Sequence, residues 1–570
     1  MSTEIRYPFS SPEIWGGIEC TVNRVDNVYR DQLADTGHYL REDDIHQFAK
    51  LGIKRLRYPV LWENHQPGEH GEIDWSLTAV RLGDIRRENI VPIAGLLHHG
   101  SGPIYTDLLD DKFPHKLAAH AAAVAAQFPW LEYYTPVNEP LTTARFSGMY
   151  GLWYPHHRDE KSFIRMLLNQ VKGIILSMQT IRKINPSAKL VQTEDLCKVH
   201  STAELAYQVG FENERRWLTY DLLCGLFKPG HVFWNRFLSL NIKEEELHFF
   251  ADNSCPPDIM GFNYYVTSER WLDTNLDHYP SHLHGGNGRH RYVDTEAART
   301  GKSVGIQVLL EEAWRRYRLP MAVTECYLNC TREEQLRWLK ETWDACCALL
   351  RKGIPVKAVT AWSLLGSFDW DSLLQERNDH YEPGVFDISA GYRRPTLQAK
   401  MIRALASGKP FGHPVLANKG WWQKPAKLSD NSAGIAALNI VNGDENMTTD
   451  LEQVCQERRI PYHTFSFADF VNVSCKPWGI VLTTSDPGNN GLYRSVVHYG
   501  HRFQIPVMVM AISGSYHAAP DTLLVCYRER DGMEFAHQAM DLFLDEEKGN
   551  WRVNQDGARK LTIQPAAVLL

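Results

Sequence analysis

The chain has 570 residues, of which 44% are hydrophobic and 23% charged, and its formal net charge is -7. This length exceeds one ordinary domain and favours a large domain joined to a smaller one. The acidic balance gives no electrostatic basis for binding nucleic acid, so we expect no such partner. The N-terminus has no basic segment before an apolar run, and no later run is long enough for a membrane span. We therefore expect neither export nor membrane insertion.

The cysteines point the same way. All 11 are scattered without a CxxC pair, and their spacing matches no zinc site. We therefore expect reduced thiols, a cytoplasmic location and no metal.

Short runs of strand-forming residues alternate with longer amphipathic segments up to about residue 410. We predict eight strands, at residues 12–18, 54–60, 90–96, 131–137, 189–195, 258–265, 321–325 and 356–365. Segments between them, such as HKLAAHAAAVAAQF, carry apolar residues at the three- and four-residue spacing of helices. This alternation predicts an α/β fold whose first domain is a closed parallel (β/α)8 barrel, a TIM barrel.

Polar side chains lie within or just after the C-terminal ends of these strands. They are Glu19, Asn23, Arg57, His98, Asn138, Glu139, Asn263, Tyr265, Glu325, Trp362, Asp369 and Trp370. Barrel enzymes assemble their sites at this end of the barrel. We therefore expect that Glu139, a charged residue at the end of a buried strand, faces a pocket.

Residues 266–303 form a long polar segment after the sixth predicted strand. We expect a loop that overhangs the pocket. Its His282, His284 and His290 suggest a metal, but no carboxylate or cysteine completes a usual ligand spacing. Substrate contact or simple solvation is the better interpretation.

The composition changes after residue 412. Residues 413–432 are rich in Gly, Pro, Lys and Asn, which is typical of a linker. From residue 433 to 570 strand and helix patterns alternate again, which predicts a smaller α/β domain. The predicted organisation is thus a barrel domain at 1–412, a linker at 413–432 and a second domain at 433–570.

Two glutamates at the ends of the fourth and seventh strands suit cleavage of a glycosidic bond. One group must protonate the leaving oxygen while the other attacks the anomeric carbon or activates water. Six segments agree with this chemistry: RLRYPVLW (55–62), LLHHG (96–100), TPVNEP (135–140), GFNYY (261–265), VTEC (323–326) and WSLLGSFDW (362–370). In order and position they resemble family 1 glycoside hydrolases, and the resemblance covers roughly residues 8–408.

The resemblance implies a role for each matched residue. Glu139 resembles the acid/base of this family, and Glu325 resembles its nucleophile. The other matched positions are implied to support or bind the sugar: Asn138 at the 2-hydroxyl, Arg57 and Tyr265 beside the nucleophile, His98, Trp362 and Trp370 around the sugar, and Asn263 beside Tyr265. The retaining mechanism places its carboxyl groups about 5 to 5.5 Å apart, where like charges raise one pKa. We expect Arg57 to lower the pKa of Glu325, so that the raised pKa falls on Glu139.

The pattern departs from the family at two hydroxyl-reading positions. Asn23 stands where the family usually has glutamine, and Asp369 stands where it usually has glutamate. Both side chains are one methylene shorter, so this side of the pocket should be wider or differently wired. If the first strand continues past Ile18, Glu19 shares a face with Asn23 and substitutes for the shortfall. Either the glycone differs from unmodified glucose or Glu19 makes up the shortfall, and no obvious basic cluster favours a phosphorylated sugar.

The region from about 433 to 565 resembles dTDP-4-dehydrorhamnose reductase-like domains, which have a Rossmann fold, with a large internal deletion. Where the dinucleotide turn belongs, the chain reads NIVNGDEN (439–446), and Asp444 and Glu445 would repel a pyrophosphate. No Tyr-x-x-x-Lys for hydride transfer is found in the sequence. We expect a truncated Rossmann-like domain without catalytic activity, which packs on the barrel or mediates assembly.

Together these features predict a retaining β-glycosidase resembling β-glucosidases, acting on a small carbohydrate substrate without metal or organic cofactor, as a possible homo-oligomer. Two alternatives stay open. A carbohydrate-binding pseudoenzyme or scaffold would keep the pocket without turnover, and a transglycosylase would use the same two glutamates with a sugar in place of water.

Overall fold

The computed structural model describes residues 11–423, 436–470, 477–485, 491–511, 522–526, 532–545, 549–553 and 561–563. The chain forms two compact units. The first takes its residues from Met1–Leu328, Leu339–Gly384 and Leu405–Gly408, and the second from Asn329–Trp338, Val385–Ala404 and Lys409–Leu570. Of the predicted linker, residues 424–432 lie outside the described residues.

A closed parallel barrel of eight strands dominates the first unit. Its strands are β1 Glu13–Gly17, β2 Arg55–Pro59, β3 Val91–Gly95, β4 Tyr133–Thr135, β5 Lys189–Asp195, β6 Ile259–Tyr264, β7 Met321–Cys326 and β8 Val356–Ala361. The ring closes because β1 pairs with β2 on one side and β8 on the other. The predicted barrel is confirmed, although the eighth strand ends at Ala361 rather than at residue 365.

Helices follow the strands in alternation. One helix after each strand is labelled α1 Asp44–Ala49, α2 Ser76–Arg87, α3 Phe113–Gln127, α4 Glu160–Ile184, α5 Glu244–Asp252, α6 Ile306–Tyr317, α7 Arg332–Arg351 and α8 Leu397–Ala406. Further helices are Gln32–Asp35, Trp62–His65, Pro140–Ala144, Ala206–Arg215, Leu218–Leu223 and Trp234–Ser239, with a π-helix at Arg145–Met149. In α4 the Asp159 carboxylate caps the N-terminus by accepting from the Ser162 amide at 2.8 Å.

The barrel interior is filled at one end by apolar side chains. The packed cluster consists of Trp15, Ile93, Val191, Ile259, Ala322 and Ala358, with Tyr133 against it. Burying a side chain of this size contributes roughly 1.5–3 kcal/mol. Because this end is closed by packing, a pocket inside the barrel can open only at the C-terminal end.

The polar segment after β6 is not the loop that we expected. Its strands Glu269–Asp273 and Arg291–Glu296 are antiparallel, Gly285–Gly286 extends the sheet, and Lys198–Ser201 joins its other edge. The two strands read ERWLD and RYVDTE, with neighbouring charged residues and no regular alternation of polar and apolar side chains, so no strand signal is visible in the sequence here. His284 lies 3.0 Å from two backbone carbonyls and His290 lies 3.0 Å from the Tyr207 hydroxyl. Within the described ranges no group of three potential metal ligands occurs.

Short antiparallel pairs complete the strands of the chain up to residue 423. They are Val22–Val25 with Val28–Asp31, Ser367–Phe368 with Tyr381–Glu382, and Phe386–Asp387 with Arg394–Pro395. Asn23 thus belongs to a hairpin of its own, separate from β1.

An open sheet forms the centre of the second unit. Its strands are β9 Leu438–Gly443, β10 Tyr462–Ser466, β11 Gly479–Thr484, β12 Val507–Ala511, β13 Thr522–Cys526, β14 Gly549–Val553 and β15 Leu561–Ile563, in the order β10-β9-β11-β12-β13-β14-β15. All pairs are parallel except β14 with β15. Its helices are α9 Glu445–Glu457, Phe467–Phe470, α10 Gly491–Phe503 and α11 Gly532–Leu544. The 2-1-3-4-5 order of the first five strands is a doubly wound order.

The second unit also contains a buried network of charged side chains. Arg332 donates to Asp387 at 2.6 Å and to Asp545 at 3.2 Å. The remaining carboxylate oxygen of Asp545 accepts from the Leu397 amide at 2.7 Å. Burial raises the pKa of Asp387, but Arg332 and Arg394 outweigh it and hold that pKa well below its ordinary value. Such a network tolerates no loss of one partner, because the other charge would stay buried.

No helix among the described segments is both long and apolar enough to cross a membrane.

Candidate active site

Two buried glutamates lie at the C-terminal end of the barrel. Glu139 follows β4 by four residues and is 5% exposed, and Glu325 lies within β7 and is 2% exposed. Pro140 directly after Glu139 begins a short helix, which fixes the direction of the chain where it leaves the strand. The fold therefore brings the two predicted catalytic residues to the same end of the barrel.

Glu325 is held by two donors. Arg57 donates from Nη1 to Oε1 at 2.7 Å, and the hydroxyl of Tyr265 donates to Oε2. Burial raises the pKa of Glu325 above its ordinary value, while Arg57 and Tyr265 oppose that rise. Arg57 thus lowers the pKa of Glu325 as expected, but desolvation is the larger effect, so the pKa of Glu325 is still raised overall.

No cation among the described residues donates a hydrogen bond to Glu139. Its Oε1 accepts from the Asn263 amide at 2.6 Å, and its Oε2 lies 3.9 Å from Nε2 of His99. Burial raises the pKa of Glu139 well above its ordinary value, and the carboxylates of Glu325, Asp195 and Glu194 raise it further. Glu139 is therefore the group of the pair that keeps its proton most readily.

Asn263 joins the surroundings of the two glutamates. It lies opposite Glu325 in the register of β6 with β7, while its amide donates to Glu139. Its carbonyl oxygen accepts from the Thr324 hydroxyl at 2.7 Å, and the Thr324 backbone carbonyl accepts from Arg57 at 2.7 Å. One hydrogen-bonded network thus positions both carboxyl groups, with Thr324 as a member that the sequence did not indicate.

Asn138 connects this network to two histidines. Its Oδ1 accepts from Arg57 at 2.7 Å and from the Thr193 hydroxyl at 2.8 Å. Its Nδ2 lies 3.3 Å from Nε2 of both His98 and His99. Burial lowers the pKa of His98 well below its ordinary value and the pKa of His99 to about 3, with Arg57 adding to both effects. Both rings are therefore neutral at physiological pH.

Aromatic side chains line the same region. Trp362 stacks on His98 with ring centres 5.7 Å apart, and the Arg57 guanidinium lies 4.8 Å from the Trp362 ring. Trp370 meets His99 edge to face at 5.7 Å, and its buried Nε1 has no hydrogen-bond partner in the described part of the chain. Trp153, which the sequence did not single out, packs against both His99 and Trp370.

Glu19 and Asn23 do not share one strand face, because β1 ends at Gly17. The Oε1 of Glu19 accepts from the backbone amide of Thr21 at 2.9 Å and from its hydroxyl at 2.6 Å, and burial raises the pKa of Glu19 to about 7. Asn23 is fully buried, and neither atom of its side-chain amide has a partner among the described residues. Both side chains are thus buried polar groups with hydrogen-bonding capacity left over.

One carboxylate oxygen of Asp369 is already hydrogen-bonded to backbone amides of its own loop. Its Oδ1 accepts from the backbone amides of Asn378 at 3.1 Å and His380 at 2.8 Å. Its φ angle is 57°, and His99 and Glu139 have φ angles of 55° and 46°. Residues with a Cβ rarely adopt this left-handed conformation. Three side chains of the site are thus carried on uncommon backbone geometry.

His99, like Thr324 and Trp153, is a site residue that sequence reasoning missed. Its neighbour His98 was matched to a family position, and the second histidine of LLHHG was given no role. The available signal was its position directly after a buried strand, next to a residue already placed in the pocket.

A closed eight-stranded parallel barrel with a buried carboxyl pair at its C-terminal end defines a glycoside hydrolase of the barrel class. The family model described as Glycosyl hydrolase family 1 matches residues 13–381. The chain belongs to this family.

Relatives with known names are distant. The chain is 20% identical over 388 residues to beta-glucosidase A of Acetivibrio thermocellus, which covers 63% of this chain and 84% of that protein. It is 22% identical over 444 residues to a beta-glucosidase of Agrobacterium sp., which covers 71% and 92%. A Thermotoga maritima family 1 glycoside hydrolase, solved with a cyclophellitol analogue, superposes with a TM-score of 0.59 at 16% identity and covers 71% and 99%. These matches establish the shared barrel fold.

Proposed function

We propose that the chain is a retaining β-glycosidase of the β-glucosidase type, with Glu325 as nucleophile and Glu139 as acid/base. The observation that carries this proposal is the unequal environment of two buried carboxyl groups. Glu325 accepts from Arg57 and Tyr265, which favours the carboxylate, whereas Glu139 is surrounded by other carboxylates, which favours the acid. A double displacement needs this division between its two groups.

The reaction then follows in two steps. Glu325 attacks the anomeric carbon, and the glycosidic bond breaks as Glu139 gives its proton to the leaving oxygen. Glu325 is then bound covalently to the sugar and carries no charge, so the pKa of Glu139 falls. Glu139 takes a proton from water, the water oxygen attacks the anomeric carbon, and the bond to Glu325 breaks. Both groups return to their starting states, and no metal or organic cofactor is required.

The sugar would lie among Asn138, His98, Trp362 and Trp370. Asn138 already accepts from Arg57 beside Glu325, which suits a contact to the 2-hydroxyl that strengthens as positive charge develops.

We further propose that the glycone is uncharged but not plain glucose. Arg57 already donates to Glu325 and Asn138, and both histidines are neutral, so none of these side chains offers a free positive charge to a phosphate or carboxylate on the sugar. The comparison to make is the hydrolysis of β-glucoside, β-galactoside, β-fucoside and 6-phospho-β-glucoside. A strong preference for glucose, or for the phosphorylated sugar, would contradict the proposal.

The decisive experiment on mechanism is intact-mass analysis after incubation with activated 2-deoxy-2-fluoro-β-glycosides. The wild type should gain one glycosyl group, and Glu325→Gln should gain none. Glu139→Gln is the matched control, because it keeps the nucleophile and should still be labelled by a sugar with an activated leaving group. If no sugar labels the wild type, a carbohydrate-binding protein without turnover becomes the better interpretation.

For the second unit we propose a truncated Rossmann-like domain that binds no dinucleotide. Asp444 follows β9 and caps α9 by accepting from the Met447 amide at 3.1 Å, so a carboxylate occupies the place where a pyrophosphate would sit. A Cβ at Gly443 would come within 2.5 Å of the Thr483 carbonyl, so this turn is already closely packed. Titration with NADPH, followed by fluorescence, tests the proposal, and saturable binding would overturn it.

A cytoplasmic location, a homo-oligomer and domain boundaries at residues 412 and 433 stay predictions. Size-exclusion chromatography with light scattering checks the oligomer directly.

A further inference from the structure

His99 occupies a position beside the proposed acid/base that the mechanism above does not use. Its Nε2 lies 3.9 Å from Oε2 of Glu139, and its Nδ1 lies 3.0 Å from the Thr143 hydroxyl. The ring is buried and 7% exposed. Because Oε1 of Glu139 already accepts from Asn263 at 2.6 Å, Oε2 is the oxygen left to carry the carboxyl proton.

The hydrogen bonds of Asn138 determine which nitrogen of His99 is protonated. Arg57 can only donate, so the Asn138 oxygen must face Arg57 and the Asn138 nitrogen must face the imidazoles. That nitrogen is itself a donor, so Nε2 of His99 must be the unprotonated nitrogen. The proton of the neutral ring then lies on Nδ1, where it donates to the Thr143 hydroxyl. The single lone pair of Nε2 thus lies between the Asn138 amide at 3.3 Å and Oε2 of Glu139 at 3.9 Å, and no N–H of the ring faces either group.

We propose that His99 is a positioning residue for Glu139, whose unprotonated Nε2 favours the carboxyl proton on Oε2 and disfavours the carboxylate. The inference rests on the proposed function, since it assigns His99 to the acid/base step of that reaction. At 3.9 Å the contact is too long for a hydrogen bond in the free enzyme, so the effect is electrostatic until the pocket closes on substrate. The same lone pair makes the Glu139 carboxylate a stronger base toward water in the second step.

Other groups also act on this pair and are unaffected by a change at position 99. Those facing Glu139 are Glu325, Asp195, Glu194, Tyr265 and Tyr220, and those facing His99 are Arg57 and His98. Burial and the carboxylates raise the pKa of Glu139 on their own. His99 is distinguished from them because it is neutral, so its contribution depends on the tautomer and not on its charge.

Two substitutions distinguish the contribution of Nδ1 of His99 from that of Nε2. In His99→Asn the side-chain amide can take the place of Nδ1 and keep the bond to Thr143, but nothing replaces Nε2. In His99→Gln the longer side chain can place an acceptor oxygen where Nε2 was. The probes are 2,4-dinitrophenyl β-glucoside, whose leaving group needs little protonation, and phenyl β-glucoside, whose leaving group needs the acid. If another glycone labels the wild type better than glucose does, the same two leaving groups on that glycone take the place of the glucosides throughout.

The expected result is a selective loss in His99→Asn. Its kcat/KM should fall at least about tenfold more on the phenyl than on the dinitrophenyl glucoside, because general acid catalysis contributes roughly 10²–10⁴-fold. The alkaline limb of its pH profile should move about half a pH unit or more toward acid, as expected for losing a contact to the protonated form. His99→Gln should restore both quantities toward the wild type.

Each other outcome has a clear meaning. If the wild type is active but the kcat/KM of each variant falls by the same factor on the two glucosides, His99 serves packing alone and the inference is overturned. If the wild type hydrolyses neither glucoside and no fluoroglycoside labels it, the proposed function fails first. If His99→Asn does not fold, Thr143→Val replaces it, because it removes one of the two contacts that favour the proton on Nδ1 and should move the alkaline limb the same way by a smaller amount.

Discussion

Replacing Arg57 by methionine should move the acidic limb of the pH profile upward. Arg57 and Glu325 are both buried, and the guanidinium donates to the Glu325 carboxylate at 2.7 Å. A hydrogen bond to a charged group contributes about 1.5–3 kcal/mol, and 1.36 kcal/mol corresponds to about one pKa unit. Without the cation, the pKa of Glu325 should rise further, by about one to two units.

The assay is kcat/KM as a function of pH, measured on an aryl glycoside with an activated leaving group so that the state of Glu139 has little influence. As the pH is lowered, Arg57→Met should lose activity at a higher pH than the wild type does, because Glu325 must be ionised to attack. The matched control is Arg55→Met. Arg55 lies on the same strand as Arg57 but forms its ion pair with Glu13. A uniform loss of rate with an unmoved acidic limb would refute the reasoning.

Three further predictions concern single substitutions. Glu139→Gln should lower kcat/KM by roughly 10²–10⁴-fold on substrates with poor leaving groups; on a substrate with an activated leaving group, where the second step limits turnover, added azide should restore kcat by attacking the glycosyl-enzyme without a base. A loss of kcat/KM that is equal for good and poor leaving groups would argue against an acid role. Burial raises the pKa of Glu19 from 4.5 to about 7 in the folded protein. The protonated side chain therefore contributes fully to the stability of the fold below the pKa of the unfolded chain, and this contribution is lost as the pH rises through the pKa of the folded protein. Glu19→Gln should therefore stabilise the protein by about 3 kcal/mol more at about pH 8.5 than at about pH 4.5 in urea unfolding, and equal effects at both would contradict this. Asp545→Asn should destabilise the second unit by about 3 kcal/mol in urea unfolding because buried Arg332 loses one of its two carboxylate partners among the described residues and keeps only Asp387, whereas the exposed Glu534→Gln in α11 should change little.

The sequence was sufficient for the barrel because each strand is a compact run bounded by turn residues, and the eight runs fell in a regular alternation with helices. It also placed Glu139, Glu325, Arg57 and Tyr265 at one end of the barrel, where the structure brings them together. Their chemical roles stay a prediction. What the sequence supplies is the strand on which a side chain lies and the end at which it emerges.

The sequence was less informative where a side chain has hydrogen-bond or charge partners from distant segments of the chain. Glu19 was paired with Asn23 by extending β1, but the strand stops at Gly17 and Asn23 lies on a separate hairpin. The net pKa direction of Glu325 depends on how completely the pocket is desolvated, which no local pattern shows. His99 was missed because its role follows from a tautomer that Asn138 and Thr143 impose, and these residues lie about 40 positions away along the chain.

The left-handed backbone at His99, Glu139 and Asp369 implies a conflict between durability and activity. A residue with a Cβ in this conformation costs about 1–2 kcal/mol, so the three positions together cost several kcal/mol, on the order of a third of the stability of an ordinary domain. Glycine would relieve that cost at each position and remove a functional side chain at the same time. Laboratory selection for heat resistance alone should therefore accumulate glycine at these positions, and the resulting proteins would keep the barrel but lose the reaction.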